Sequence, residues 1–175
     1  TDFFDYLYGR RMGYPLISPD GLRLLFRSHR SGWVNYWQVP INGGEPELVF
    51  PENSDQSDAT FSPNGDLAFV SNSNGTTRIT ILYCDNTNRV LVKPKMGVVG
   101  KPCWSPDSRQ LAYLSESPIS PSDLWLVDVI TGKSRRLTSS FQSKAIKKYL
   151  VEPKKISYQS KDKLEISAYL YSPPK

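Results

Sequence analysis

The sequence predicts an all-β chain: a partial β-propeller of about three four-stranded blades, followed by a C-terminal β-hairpin. Two repeats and one compositional fact carry that prediction. The turn Ser18-Pro19-Asp20-Gly21 recurs as Ser62-Pro63-Asn64-Gly65 and Ser105-Pro106-Asp107-Ser108, at spacings of 44 and 43 residues. An aromatic residue two places before a serine recurs in step with it, as Phe26/Ser28, Phe69/Ser71 and Tyr113/Ser115. Fourteen Pro and 11 Gly in 175 residues punctuate the chain too often for long helices.

Each element follows from local chemistry. In the recurring turn, Pro pre-sets φ at the first central position, Asp or Asn suits the second, and Gly accepts the left-handed conformation after it. An alternating strand then runs to the aromatic–serine pair. After a polar loop, a third strand is predicted at Val34–Val39, Arg78–Cys84 and Asp123–Val129. A second turn follows (Asn42-Gly43-Gly44, Asp85-Asn86-Thr87-Asn88, Thr131-Gly132-Lys133) and leads to a short fourth strand near Leu48–Phe50, Val90–Val92 and Arg136–Thr138. Four short antiparallel strands every 43–44 residues is the period of a propeller blade. The repeats run near 14–50, 58–93 and 101–138, inside a blade region of 1–148. Residues 149–175 break the period and read as a hairpin with a polar turn at Ser160–Lys163. Helical periodicity surfaces only weakly, from Ser143 to Leu150.

Composition excludes whole classes. With 38% hydrophobic and 22% charged residues the chain is neither disordered nor collagen-like. No apolar run approaches the roughly 20 residues of a membrane-spanning helix, so no membrane partner is expected. The chain opens on Thr1 without a charged-then-apolar leader and is read as a piece of a longer polypeptide. The net charge of +5 is uneven: residues 133–175 hold eleven Lys/Arg against Glu152, Asp162 and Glu165. Those lysines are scattered among polar residues without interleaved aromatics for stacking, so a solvated or partner-facing surface is expected and nucleic acid is not.

Candidate chemistry is sparse. Cys84 and Cys103 form no CxxC pair and are expected as reduced, buried residues of strands. Their low number leans the compartment towards the cytoplasm. Asn74-Gly75-Thr76 is a sequon of the kind that chance supplies. The single histidine, His29, corresponds in the second repeat to Asn72, which suggests a polar loop position rather than a catalytic one. No metal-ligand cluster and no phosphate loop occurs, so neither a metal nor another cofactor is expected. Trp33, Tyr36, Trp37, Trp104 and Trp125 would line a ligand groove or fill the space between blades; the match of Trp37 with Trp125 across repeats favours packing. Arg135 and Arg136 would clamp a peptide carboxylate or stand on a solvated edge, and the edge is the expectation.

The blade pattern Cys103-Trp104-Ser105-Pro106-Asp107, Leu111-Ala112-Tyr113 and Leu124-Trp125-Leu126-Val127-Asp128 resembles two groups of propellers. One is the Tol-system periplasmic propeller. The other is the propeller of the prolyl-oligopeptidase family of serine peptidases, especially its dipeptidyl-peptidase and acylaminoacyl-peptidase branches. The end of the chain favours the second. Pro153, Ile156, Tyr158, Ser160 and Asp162, then Ile166, Ala168, Leu170, Tyr171 and Pro173, are similar to the two strands with which those peptidases pass from propeller to α/β-hydrolase domain. The family usually has Gly after that Asp, where this chain has Lys163, which puts the turn in doubt.

This resemblance implies a propeller that caps a hydrolase active site, admits short peptides and excludes folded proteins. It also implies a Ser-His-Asp triad with its serine on a Gly-x-Ser-x-Gly elbow. No such elbow occurs here; Gly132-Lys133-Ser134-Arg135-Arg136 is the nearest approach and lacks the second Gly. The expectation is therefore a chain with no catalytic residues of its own. Its partners would be a hydrolase domain of the same polypeptide, short peptide substrates, and further blades or a second copy against its open ends. A non-enzymatic Tol-like platform for protein interactions is the alternative, and a surface-layer or adhesin repeat a weaker one.

Overall fold

The computed structural model describes residues 15–140 and 149–173. The weak helical periodicity from Ser143 falls mostly outside them. Among the described residues there are three four-stranded antiparallel sheets and one two-stranded sheet. The first sheet holds β1 (Leu16–Ile17), β2 (Arg23–Ser28), β3 (Asn35–Pro40) and β4 (Glu47–Leu48). The second holds β5 (Asp55–Phe61), β6 (Leu67–Ser73), β7 (Thr76–Leu82) and β8 (Asn88–Val92). The third holds β9 (Val98–Trp104), β10 (Gln110–Ser117), β11 (Ser120–Asp128) and β12 (Ser134–Arg136). Within each, spatial order equals chain order, the meander of a propeller blade. The third strands start or end one to three residues away from the sequence expectation, and the fourth strands are short. The last sheet pairs β13 (Lys154–Gln159) with β14 (Glu165–Leu170).

The recurring turns explain why the strands break where they do. Ser105 Oγ donates to Asp107 (2.6 Å) and accepts from the Gln110 amide (2.9 Å), while the Asp107 carboxylate accepts from the Arg109 amide (3.1 Å). Ser18 and Asp20 repeat this scheme with Leu22 and Arg23. The C-terminal hairpin builds it again: Ser160 Oγ donates to Asp162, and the Leu164 amide reaches the same carboxylate at 3.4 Å. In all three, the serine hydroxyl is the main reason the aspartate carboxyl lies below its usual range. Lys163 takes the left-handed position at φ 65°, as Ser108 does at 58°. The doubt raised by the missing glycine is thus answered: the serine–aspartate bonds hold the turn despite the Cβ.

Side-chain alternation sorts each sheet into a leading face, turned to the preceding blade, and a trailing face. Leu67, Phe69 and their cross-strand partners Leu82 and Thr80 lead towards the first blade, where Leu25 and Tyr36 meet them. Ala68, Val70, Ile79 and Ile81 trail towards the third blade and pack on Leu111, Tyr113 and Val127. Phe26, Phe69 and Tyr113 hold the same register and stand on the same face of their sheets. Burial differs, however: Phe69 and Tyr113 are buried, and Phe26 is only half-buried. The reason is position, since among the described residues no blade precedes the first.

Side chains also bind blade to blade. Gln56, 1% exposed, carries its amide into the first blade: Oε1 accepts from the Tyr36 amide (2.9 Å) and Nε2 donates to the Phe50 carbonyl (3.0 Å). Between the second and third blades, the Thr77 hydroxyl accepts from the Val99 amide at 2.6 Å. β5 and β9 pack side by side, which places the first strand of each blade innermost.

Three sequence expectations need correction here. Cys84 lies in the turn beyond the end of β7, and Cys103 shares the trailing face of the third blade with its partner Ala112; both thiols are free and exposed. Arg136 is not merely a solvated edge cation, because its guanidinium pairs with Asp123, a carboxylate only 2% exposed.

Candidate functional site

The hairpin docks on one end of the blades, and the space it leaves there is the candidate site. Tyr169 on β14 lies over the β6–β7 turn, its hydroxyl donating to the Asn74 carbonyl (3.4 Å) and lying 3.5 Å from Thr76 Oγ1. That approach depends on Gly75: its φ is +79°, and an added Cβ would come within 3.3 Å of the Tyr169 ring. A second close approach shapes the opposite wall. Gly97 has φ +107°, and a Cβ there would meet the Glu116 carbonyl oxygen at 2.2 Å. The chain between β8 and β9 can therefore press against the end of β10.

Between these contacts lies a cavity of about 410 Å³. Its apolar walls come from Met96, Val98, Pro118, Pro153, Tyr169 and Tyr171, and Glu116 and Ser117 line it beside Gly97. The volume and the largely apolar, half-open lining are those of a small-ligand cleft. Among the described residues no group of three or more His, Cys, Asp or Glu is placed to hold a metal ion.

The residues weighed from the sequence lie elsewhere. His29 is half-buried after β2 in the first blade and does not line the cavity. Tyr36 is part of the core between the first two blades; burial raises its pKa, partly offset by the Ala59 amide bonded to its oxygen. Trp104 and Trp125 pack against the second core, with Trp104 Nε1 donating to the Thr60 carbonyl (3.2 Å) and Trp125 stacked on Tyr113. Trp37 pairs with Phe26 across the leading face of the first blade, and Trp33 is exposed. Ser134 opens β12, opposite Val127, in no elbow. Arg135 stays exposed. The residues that form the cavity went unremarked in the sequence, apart from Gly75 in the Asn74-Gly75-Thr76 sequon and Pro153 and Tyr171 in the hairpin motif; Gly97 between Met96 and Val98 was a further available signal.

No family model matches the chain. An uncharacterized protein of Agrobacterium fabrum is 29% identical over 123 residues, covering 63% of this chain and 42% of that protein. Among solved structures, a puromycin-hydrolyzing peptidase of Mycobacterium tuberculosis superposes with a TM-score of 0.74 at 18% identity, over 90% of this chain and 25% of that one. Dipeptidyl peptidase 4 of Porphyromonas gingivalis gives 0.68 at 13% identity, over 84% and 22%. A putative TolB of Agrobacterium tumefaciens gives 0.61 at 23% identity, over 78% and 47%. The fold is thus that of a β-propeller portion, shared by prolyl-oligopeptidase-family peptidases and TolB-like propellers. The chain spans less than half the length of each of these proteins.

Proposed function

We propose that this chain is part of the substrate-gating propeller of a serine peptidase acting on short peptides. The catalytic triad would be supplied by an α/β-hydrolase domain of the same polypeptide. The hairpin carries this reading. One of its faces turns Lys155 and Tyr169 to the second blade; the other carries Ile156, Tyr158, Ile166, Ala168 and Leu170. On that outer face Tyr158 is 53% and Leu170 49% exposed, an apolar ribbon surface of the kind that another domain covers. The domain organisation proposed is blades over 1–148 and a connecting hairpin over 149–175.

A fluorophosphonate probe, which labels activated serines, tests the assignment. The chain alone stays unlabelled and hydrolyses no aminoacyl or acyl-peptide substrate. The polypeptide encoded by the reading frame continued past Lys175 contains a Gly-x-Ser-x-Gly elbow and labels stoichiometrically. Labelling of the chain alone overturns the reading. The likeness to TolB supports a second reading, a non-enzymatic interaction platform, and a frame without such an elbow would select it.

A further inference from the structure

On the other side of the β6–β7 turn lies a second cavity, of about 210 Å³, and its lining is cationic. Arg78 enters from β7, Lys93 and Lys95 from the chain after β8, and Lys155 from β13. The Arg78 charge is matched by Glu52, with which it pairs. Lys93, Lys95 and Lys155 have no carboxylate partner among the described residues. Three exposed lysines without an ion-pair partner among the described residues therefore line one recess. Thr76 adds a hydroxyl to the wall. Like charges gathered in one recess repel one another. An anion bearing several acceptor oxygens would relieve that repulsion.

We propose that this recess is a seat for a doubly charged oxyanion of the phosphate type, and that filling it clamps the hairpin onto the second blade. The stoichiometry follows from charge: three unmatched cations suit a dianion better than a single carboxylate. The clamp follows from register. Lys155 stands directly opposite Tyr169, and Tyr169 is the residue that anchors the hairpin to Asn74 and Thr76. An anion held jointly by Lys155 and by Lys93 or Lys95 thus bridges the hairpin and the blade beside that anchor. Inorganic phosphate and a phosphorylated side chain share this chemistry.

Calorimetric titration of the chain with inorganic phosphate, at ionic strength fixed with sodium chloride, gives saturable 1:1 binding. Lys95→Ala and Lys155→Ala each weaken it by up to about fivefold, the worth of an exposed charge contact. Lys133→Ala, in the distant β11–β12 turn, leaves it unchanged, and phosphate slows amide exchange across Lys154–Gln159. Binding that does not saturate, or that falls equally in Lys133→Ala, overturns the seat; saturation without slowed exchange overturns the clamp. A phosphoserine tripeptide that binds more tightly than phosphate identifies a phosphorylated chain as the source, and weaker binding identifies the free anion. A glutamate tripeptide binding as tightly as phosphate overturns the dianion assignment.

Discussion

Asp58 and Lys101 occupy the same place in successive blades, four residues before Ser62 and Ser105, and they are bonded to each other. The Lys101 ammonium lies 2.9 Å from one Asp58 oxygen, and the Lys101 amide donates to the other at 3.2 Å. Both residues are left-handed, with φ of 51° and 53°, and both sit where the innermost strand is bulged. In the second and third blades the bulges stand at equivalent positions, and they meet as an ion pair.

Two opposing terms act at Lys101. Left-handed backbone costs a residue with a Cβ about 1 kcal/mol, and a solvent-exposed ion pair returns at most about the same. Lys101→Ala therefore lowers stability by losing the pair while keeping the strain, and Lys101→Gly recovers about 1 kcal/mol relative to the alanine variant. Urea unfolding of the two variants checks this; an alanine variant as stable as the glycine one would refute the strain.

The hairpin turn gives a cleaner case, because Lys163 makes no ion pair among the described residues. Lys163→Gly should stabilise the turn by about 1 kcal/mol. Amide exchange in β13 and β14 then slows, while exchange in β6 stays as it was. Unchanged hairpin exchange would count against the turn geometry.

Equivalent register with unequal burial predicts unequal cost. Phe69→Ala removes a ring that is 1% exposed and should cost about 3–5 kcal/mol. Phe26→Ala, on the half-covered leading face of the first blade, should cost clearly less. Equal losses in chemical denaturation would mean that Phe26 is as enclosed as its counterpart.

Asp123 ties down the segment that leaves the third blade. Burial opposes its ionisation, but the Ser140 amide and hydroxyl, the Thr138 hydroxyl and the Arg136 guanidinium more than offset this and hold its pKa at about 2. A carboxyl depressed on folding stabilises the native state above its unfolded value of about 4. That contribution disappears as pH falls through 2. Asp123→Asn should flatten the loss of stability between pH 4 and pH 2, measured by thermal unfolding; an unaltered acid limb would disprove the network.

The blades were legible because their turns announce themselves: Ser, Pro, Asp and Gly fix a local conformation without help from distant residues. Facing was legible from alternation, and Phe69 and Tyr113 were placed correctly by it. The ring contacts were not. Asp58 and Lys101 look like unrelated charges until adjacent blades are known to bring equivalent positions together. Arg136 looked solvated because its partner, Asp123, lies 13 residues earlier on a strand whose burial only the third blade's packing decides. The cavity beside the hairpin depends on Tyr169 reaching Asn74, 95 residues away, and no local pattern encodes that distance.

The leading and trailing faces give the arc a direction, as a filament has a plus and a minus end. Ala112, Leu114, Leu124 and Leu126 on the third blade hold the places that Ala68, Val70, Ile79 and Ile81 hold on the second. With Leu114 39% and Leu124 36% exposed, that end offers an aliphatic surface of the kind that meets the aromatic leading face of the third blade at the preceding contact. A unit that joins here head to tail would repeat that contact and turn in the same sense as the three blades before it.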